Sequence, residues 1–127
     1  MNREIKFRGK GVDSNKWYYG GYAEDCGHNH VILPQDNWSK GGVVDKDTIG
    51  QFTGKIDKNK KEIFSGDLLK DQDGVVYEIW YSEETAAFMA EMVKPANDMV
   101  DILGGYDTER CFEVIGNIYD NTDLLED

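Results

Sequence analysis

The residues best able to do chemistry in this chain are Cys26, His28 and His30, spaced Cys-Gly-His-Asn-His. In an extended segment, the two-residue period puts all three side chains on one face. A thiolate and two imidazoles are zinc ligands, and three of them with a water make an open site, to which Cys111 could add a fourth ligand. Gly27 and Asn29 argue the other way. Both favour a turn, which scatters the side chains, and the spacing matches no standard zinc motif. The expectation is therefore a polar loop with no metal and no cofactor. Metal binding through Cys26, His28 and His30 is the least favoured of three functional readings.

Acid–base chemistry needs carboxylates in apolar surroundings. Asp67, Glu78, Glu113 and Asp120 all sit near apolar runs. In so acidic a chain, solvated faces and turn residues account for them more simply. Asp67, after Gly66, is expected to bond the turn backbone. No nucleophile elbow, phosphate loop or zincin motif is present, so no catalytic residue is assigned and the chain reads as a non-enzyme. The basic run Lys55, Lys58, Lys60 and Lys61 lies beside Phe52 and Phe64, which in outline resembles a nucleic-acid hairpin. The competing reading is a solvated β-turn whose lysines keep it soluble.

The whole chain has 127 residues and a formal net charge of −11. That length suits one domain, 1–127. From Asp98 to Asp127 there are nine acidic residues against Arg110 alone. Such a surface repels phosphate backbones, so nucleic acid and anionic membranes are disfavoured partners. The start, MNREIKFRGK, has no apolar core of a signal peptide, and no apolar run approaches the roughly 20 residues that span a bilayer. A reducing cytoplasm with free Cys26 and Cys111 is the expected setting.

The elements that would position these residues read as β. Glu4–Arg8 alternates, with Ile5 and Phe7 on one face. Gly9–Lys16 reads as a turn and Trp17–Tyr22 as an aromatic strand, whose Gly20-Gly21 predicts a bulge or a close backbone approach. Ala23–His30 is a polar loop, Val31–Leu33 a short apolar run ended by Pro34, and Gln35–Gly42 a loop holding Trp38. Thr48–Lys70 reads as strand, turn, strand, turn, strand. Its first turn is Asp57–Lys60 and its second Ser65–Asp67, with positive φ expected at Gly54 and Gly66. Asp73-Gly74 signals a hairpin into the alternating strand Val75–Tyr81.

Ser82–Val93 is ambiguous. Local propensity slightly favours a helix capped by Ser82, and a returning strand is the alternative. Pro95–Arg110 reads as irregular, with a short helix over Asn97–Leu103 and a turn at Gly104-Gly105. Phe112–Tyr119 is a strand interrupted at Gly116. Asp120–Asp123 is a cap-like cluster before one helical turn at Leu124-Leu125.

Three blocks carry a likeness: REIKFRGKGVDSNKWYYGGY at the start, VVDKDTIGQFTGKIDKNKKEIFSGDLLK over Val43–Lys70, and FEVIGNIYDNTDLL over Phe112–Leu125. Together they resemble the YopX family, small proteins of bacteriophages and of prophage regions in Gram-positive bacteria. The resemblance implies a mainly β fold with a small SH3-like barrel element, additional β-hairpins and little helix. It turns Ser82–Val93 towards a hairpin, implies self-association, and carries no established activity. Ala23–Ser39 and Pro95–Arg110 lie outside the matching blocks.

The leading expectation is thus an uncharacterised phage or prophage accessory protein acting by contact with a host or phage protein or by forming a homo-oligomer. Trp17, Tyr19 and Trp80 would supply aromatic contact surface. The alternative is a small-barrel nucleic-acid binder using the Lys55–Lys61 turn.

Overall fold

A computed structural model describes residues 4–126. Residues 1–3 of the charged start and residue 127 of the acidic end lie outside the described residues. The chain divides into two compact units, one ending at Phe52 and the other beginning at Thr53. Both are antiparallel β, as the sequence predicts, and the helical segments are short.

The first unit contains β1 (Phe7–Lys10), β2 (Trp17–Glu24), β3 (His30–Leu33), β4 (Gly42–Val43) and the opening of β5 (Gly50–Ile56), in the order β4-β3-β2-β1-β5. The predicted strand Glu4–Arg8 is displaced: Ile5 is exposed and outside any strand, and β1 runs on to Lys10. Alternation alone marks no strand end. Packing does, because Val44 occupies the space above Gly9, where an added Cβ would lie 2.7 Å from its Cγ2. The turn therefore contracts to Gly11–Lys16, closed by the Gly11 N–H donating to Lys16 O at 2.8 Å.

Gly20 is a close approach rather than a bulge. It holds φ +153°, and a Cβ there would sit 2.3 Å from Leu33 O. The short apolar run at Val31 lies in strand β3, and the loop at Trp38 folds into a 3₁₀ turn, Trp38–Lys40, capped by Asn37.

The second unit holds the remainder of β5, β6 (Glu62–Phe64), β7 (Asp67–Lys70), β8 (Val76–Ser82), β9 (Ala87–Lys94), β10 (Ala96–Ile102), α1 (Thr108–Cys111) and β11 (Glu113–Asn117). Five of these strands pair in the order β10-β9-β8-β7-β11. The barrel closure implied by the resemblance is not among the pairings of the described residues. Ile63, Leu69, Tyr77, Ile79, Ala90, Leu103 and Phe112 form the core.

The turns of Thr48–Lys70 are built as the sequence indicates. Gly54 and Gly66 hold φ of 86° and 95°. Asp67 is buried, and its Oδ2 accepts from Phe64 N at 2.7 Å. Asp57, 1% exposed, holds three backbone N–H groups. Its Oδ1 accepts from Asn59 N and Lys61 N, and its Oδ2 from Val114 N, each at 2.8 Å. One carboxylate thus closes the β5–β6 turn and ties it to β11.

Ser82–Val93 is a hairpin, so the local preference for helix is overridden. β8 and β9 pair along their length, with Ile79 opposite Ala90, and Ala90 is 1% exposed. A helix would forfeit that cross-strand ladder, and helix propensity amounts to only tenths of a kcal/mol per residue. The short helix expected over Asn97–Leu103 is also absent. β10 occupies most of that span, with Val100 opposite Glu91 and Ile102 opposite Met89. It covers the edge that β9 would otherwise leave open. The ladder shifts between Ala96 and Val100.

At the other edge, β11 shifts register between Val114 and Gly116, where the sequence marks an interruption. A Cβ on Gly116 would meet Asn121 Oδ1 at 2.5 Å, and that oxygen accepts from Asn117 N at 3.1 Å. The helical turn expected near Leu124 is a 3₁₀ turn, Thr122–Leu125.

Replacing Asp57 by Ala leaves three backbone N–H groups without their acceptor. The expected loss is about 3 kcal/mol, on the scale of stranded donors and charged hydrogen bonds. Denaturant midpoints at constant slope would measure it, and a loss below about 1 kcal/mol would show that water replaces the carboxylate.

Candidate functional site

The Cys26–His30 segment is a turn, so the condition for convergent ligands is not met. Asp25 builds it. Its Oδ1 accepts from Gly27 N at 2.9 Å and Asn29 N at 3.0 Å, and its Oδ2 accepts from Asn29 Nδ2 at 3.2 Å. The N–H of Asn29, and next its side-chain amide, hold the Asp25 carboxyl below its ordinary range.

Cys26 is exposed. His28, with φ 64°, turns its imidazole Nδ1 towards Glu24 Oε2 at 3.8 Å. His30 begins β3, and its Nδ1 meets the Tyr22 hydroxyl at 2.6 Å, with the two rings stacked at 5.8 Å. The three side chains thus have separate surroundings. Among the described residues no group of three or more His, Cys, Asp or Glu is arranged to hold a metal ion.

The four singled-out carboxylates have different local settings. Asp67 bonds its turn, and Glu113 accepts from Asn59 Nδ2 at 3.4 Å. Asp120 accepts from Asn117 Nδ2 at 3.4 Å. Glu78 is the unusual one. Half-buried on β8, it lies directly opposite Glu91, whose Oε1 accepts from Trp80 Nε1 at 3.1 Å. Burial, and secondarily the charge on Glu91, push the Glu78 carboxyl above its ordinary value.

At the lysine turn, Lys58, Lys60 and Lys61 are exposed and Lys55 is half-buried, and Lys60 Nζ lies 3.8 Å from Glu109. Phe52 and Phe64 are both buried, so neither presents a ring for base stacking. Of the aromatic residues proposed for contact, Tyr19 is exposed, whereas Trp17 lies under Arg8 at 4.9 Å and Trp80 is half-buried.

Two features escape sequence reasoning. The first is β10, over a span whose sequence reads as irregular with a short helix. Every residue in it is exposed, including Met99, Val100 and Ile102. The β-branched Val100 and Ile102, two residues apart, are the signal that could reveal a strand.

The second is a pocket of about 190 Å3 whose walls include Asp71, Tyr77, Tyr106, Cys111 and Phe112. The Tyr77 hydroxyl donates to Asp71 Oδ2 at 3.1 Å, and burial, then this bond, pushes the phenol up to about 12. Nothing in the spacing of residues so far apart could have grouped them.

Among the described residues, no helix is long and apolar enough to cross a membrane. A family model, YopX protein, matches residues 6–126, and so takes in Ala23–Ser39 and Pro95–Arg110 as well as the three motif blocks. No curated protein matches the chain.

A raised carboxyl favours the fold while protonated. That contribution is complete below the unfolded value of 4.5 and fades as pH rises through the higher folded value. Glu78→Gln should therefore stabilise the chain near neutral pH by about 0.5 kcal/mol, the scale of a solvent-screened cross-strand pair, and lose that advantage in acid. Thermal melts across pH would test this, and equal effects at both ends would remove the electrostatic explanation. With its candidate ligands apart, the chain should also melt at the same temperature with added zinc as with a chelator. A zinc-dependent rise abolished by Cys26→Ser would restore the metal reading.

Proposed function

The chain belongs to the YopX family, and from that premise we propose that it is a phage or prophage accessory protein working by protein–protein contact rather than catalysis. Its setting in this reading is the cytoplasm of the bacterial host, and its first partner is a second copy of itself. The observation that carries the proposal is β10. This strand is an outer edge of its sheet, is exposed at every position, and presents Met99, Val100 and Ile102 to solvent. An edge with exposed apolar side chains is a surface that tends to pair.

The same strand limits what kind of pairing is feasible. Its ladder shift after Ala96 and its acids Asp98 and Asp101 oppose open-ended strand addition. A closed contact between apolar side chains remains, and a symmetric dimer is the simplest closed form. Repulsion from −11 per chain opposes association. Salt screens that repulsion over about 8 Å at physiological strength, whereas apolar burial keeps its value. The dimer should be at least as stable in high salt as in low salt.

Light scattering at micromolar concentration should give twice the chain mass. The double substitution Val100→Lys with Ile102→Lys should return it to one chain mass without lowering the melting temperature of the monomer. A single-chain mass for the native protein at every salt concentration would reject self-association. A dimer that survives the double substitution would place the interface elsewhere.

A further inference from the structure

The second unit holds a pocket whose chemistry is separate from the β10 surface. Its carboxylate is fixed by the β7–β8 turn. Asp71 Oδ1 accepts from Asp73 N and Val75 N, both at 2.9 Å, and Gly74, with φ 85°, completes the turn. Oδ2 meets the Tyr77 hydroxyl, which leaves that oxygen further acceptor capacity.

The aromatic wall is equally fixed. Tyr77 and Phe112 belong to the core, and their ring centroids lie 5.2 Å apart, inclined at 71°. Tyr106 lies 5.2 Å from Phe112 and 6.1 Å from Tyr77. α1, which leads into Phe112, is tied down by Thr108 Oγ1 donating to Ile56 O at 2.8 Å. Gln72 Nε2 donates to Arg110 O at 3.3 Å and so links the turn to α1.

Three inclined rings, a positioned carboxylate and a second acid, Asp73, meet around about 190 Å3, and among the described residues no lysine, arginine or histidine lines the space. Ring faces are negative at their centres and attract cations, most strongly compact organic ones that shed water readily. We propose that this pocket binds an organic ammonium group, received by Asp71 and by the half-buried ring of Tyr106, with the buried Tyr77 and Phe112 as the floor beneath it. The tyrosines report the same field. After burial, the carboxylates Asp71 and Asp101 push the Tyr106 phenol up, so the surroundings already disfavour a further negative charge. Such a group could be the head of a lysine side chain on a partner or a free small amine. The recognition chemistry is the same.

The test is a titration of the full chain followed by NMR, with tetramethylammonium, choline, butylammonium and a blocked lysine tripeptide as probes. Saturable shifts confined to residues around Tyr77, Tyr106 and Phe112 are expected with the ammonium probes. The uncharged tert-butyl isostere of choline should bind about tenfold more weakly, the scale of a partly desolvated cation–π contact.

Asp71→Asn keeps an acceptor for the turn and should weaken the ammonium probes while leaving the isostere unchanged. If that variant unfolds, the choline-to-isostere comparison on the native chain decides alone. A lysine tripeptide that binds more tightly than butylammonium assigns the pocket to a partner's side chain, and equal affinities assign it to a free amine. No saturable shift with any ammonium, or equal binding of choline and its isostere, overturns the proposal. The titration does not depend on whether the chain dimerises.

Discussion

The carboxylate of Asp57 is the interaction on which the second unit rests. Taking a charged group out of water is costly unless the site supplies replacement donors. Here Asn59, Lys61 and Val114 do so from two separate segments. The same turn is linked again by Lys58 N donating to Phe112 O at 3.0 Å. Phe112 is thereby held in the core against Tyr77 and Tyr106. Without the Asp57 bonds, the edge strand β11 and one wall of the aromatic pocket would lose their common anchor.

Turns were the most legible part of the sequence, because their chemistry is local. Asp57, Gly66 and Gly74 announce their roles by residue type, and each is found in a turn of the predicted kind. Ser82–Val93 was not legible from propensity, because its state is decided by partners far along the chain. Ala90 is a good helix former, yet it is buried opposite Ile79 in a ladder. β10 was missed for the same reason: its strand character comes from β9 beside it. The Cys26–His30 motif was legible in both its readings, and the Asx-type turn set by Asp25 selected the dispersed one. The pocket was illegible because its walls come from three separate segments.

Charge is not spread evenly in its consequences. The exposed acids dominate a formal net charge of −11, a field of one sign. Glu78 facing Glu91 is different, since it places two like charges across one ladder on a half-buried face, with Trp80 bonded to one of them. A sheet tolerates such a pair only when the packing around it is favourable enough to offset the repulsion. Here Leu68, fully buried and directly opposite Glu78 on β7, supplies such packing.

The strand order sets a sequence of events in time. β7, β8, β9 and β10 pair each with the next, so their contacts are between chain neighbours, whereas β11 must return to lie beside β7. Its link to Asp57 joins residues 57 positions apart. Contacts across short loops close first, and distant ones carry the larger loop-closure cost. The meander can therefore assemble before β11 arrives; the bonds of Asp57 to Asn59 and Lys61 are local, and its bond to Val114 closes late. Bonds that form after the folding barrier slow unfolding more than they hasten folding. The Val114 bond is thus placed to slow unfolding more than to hasten folding.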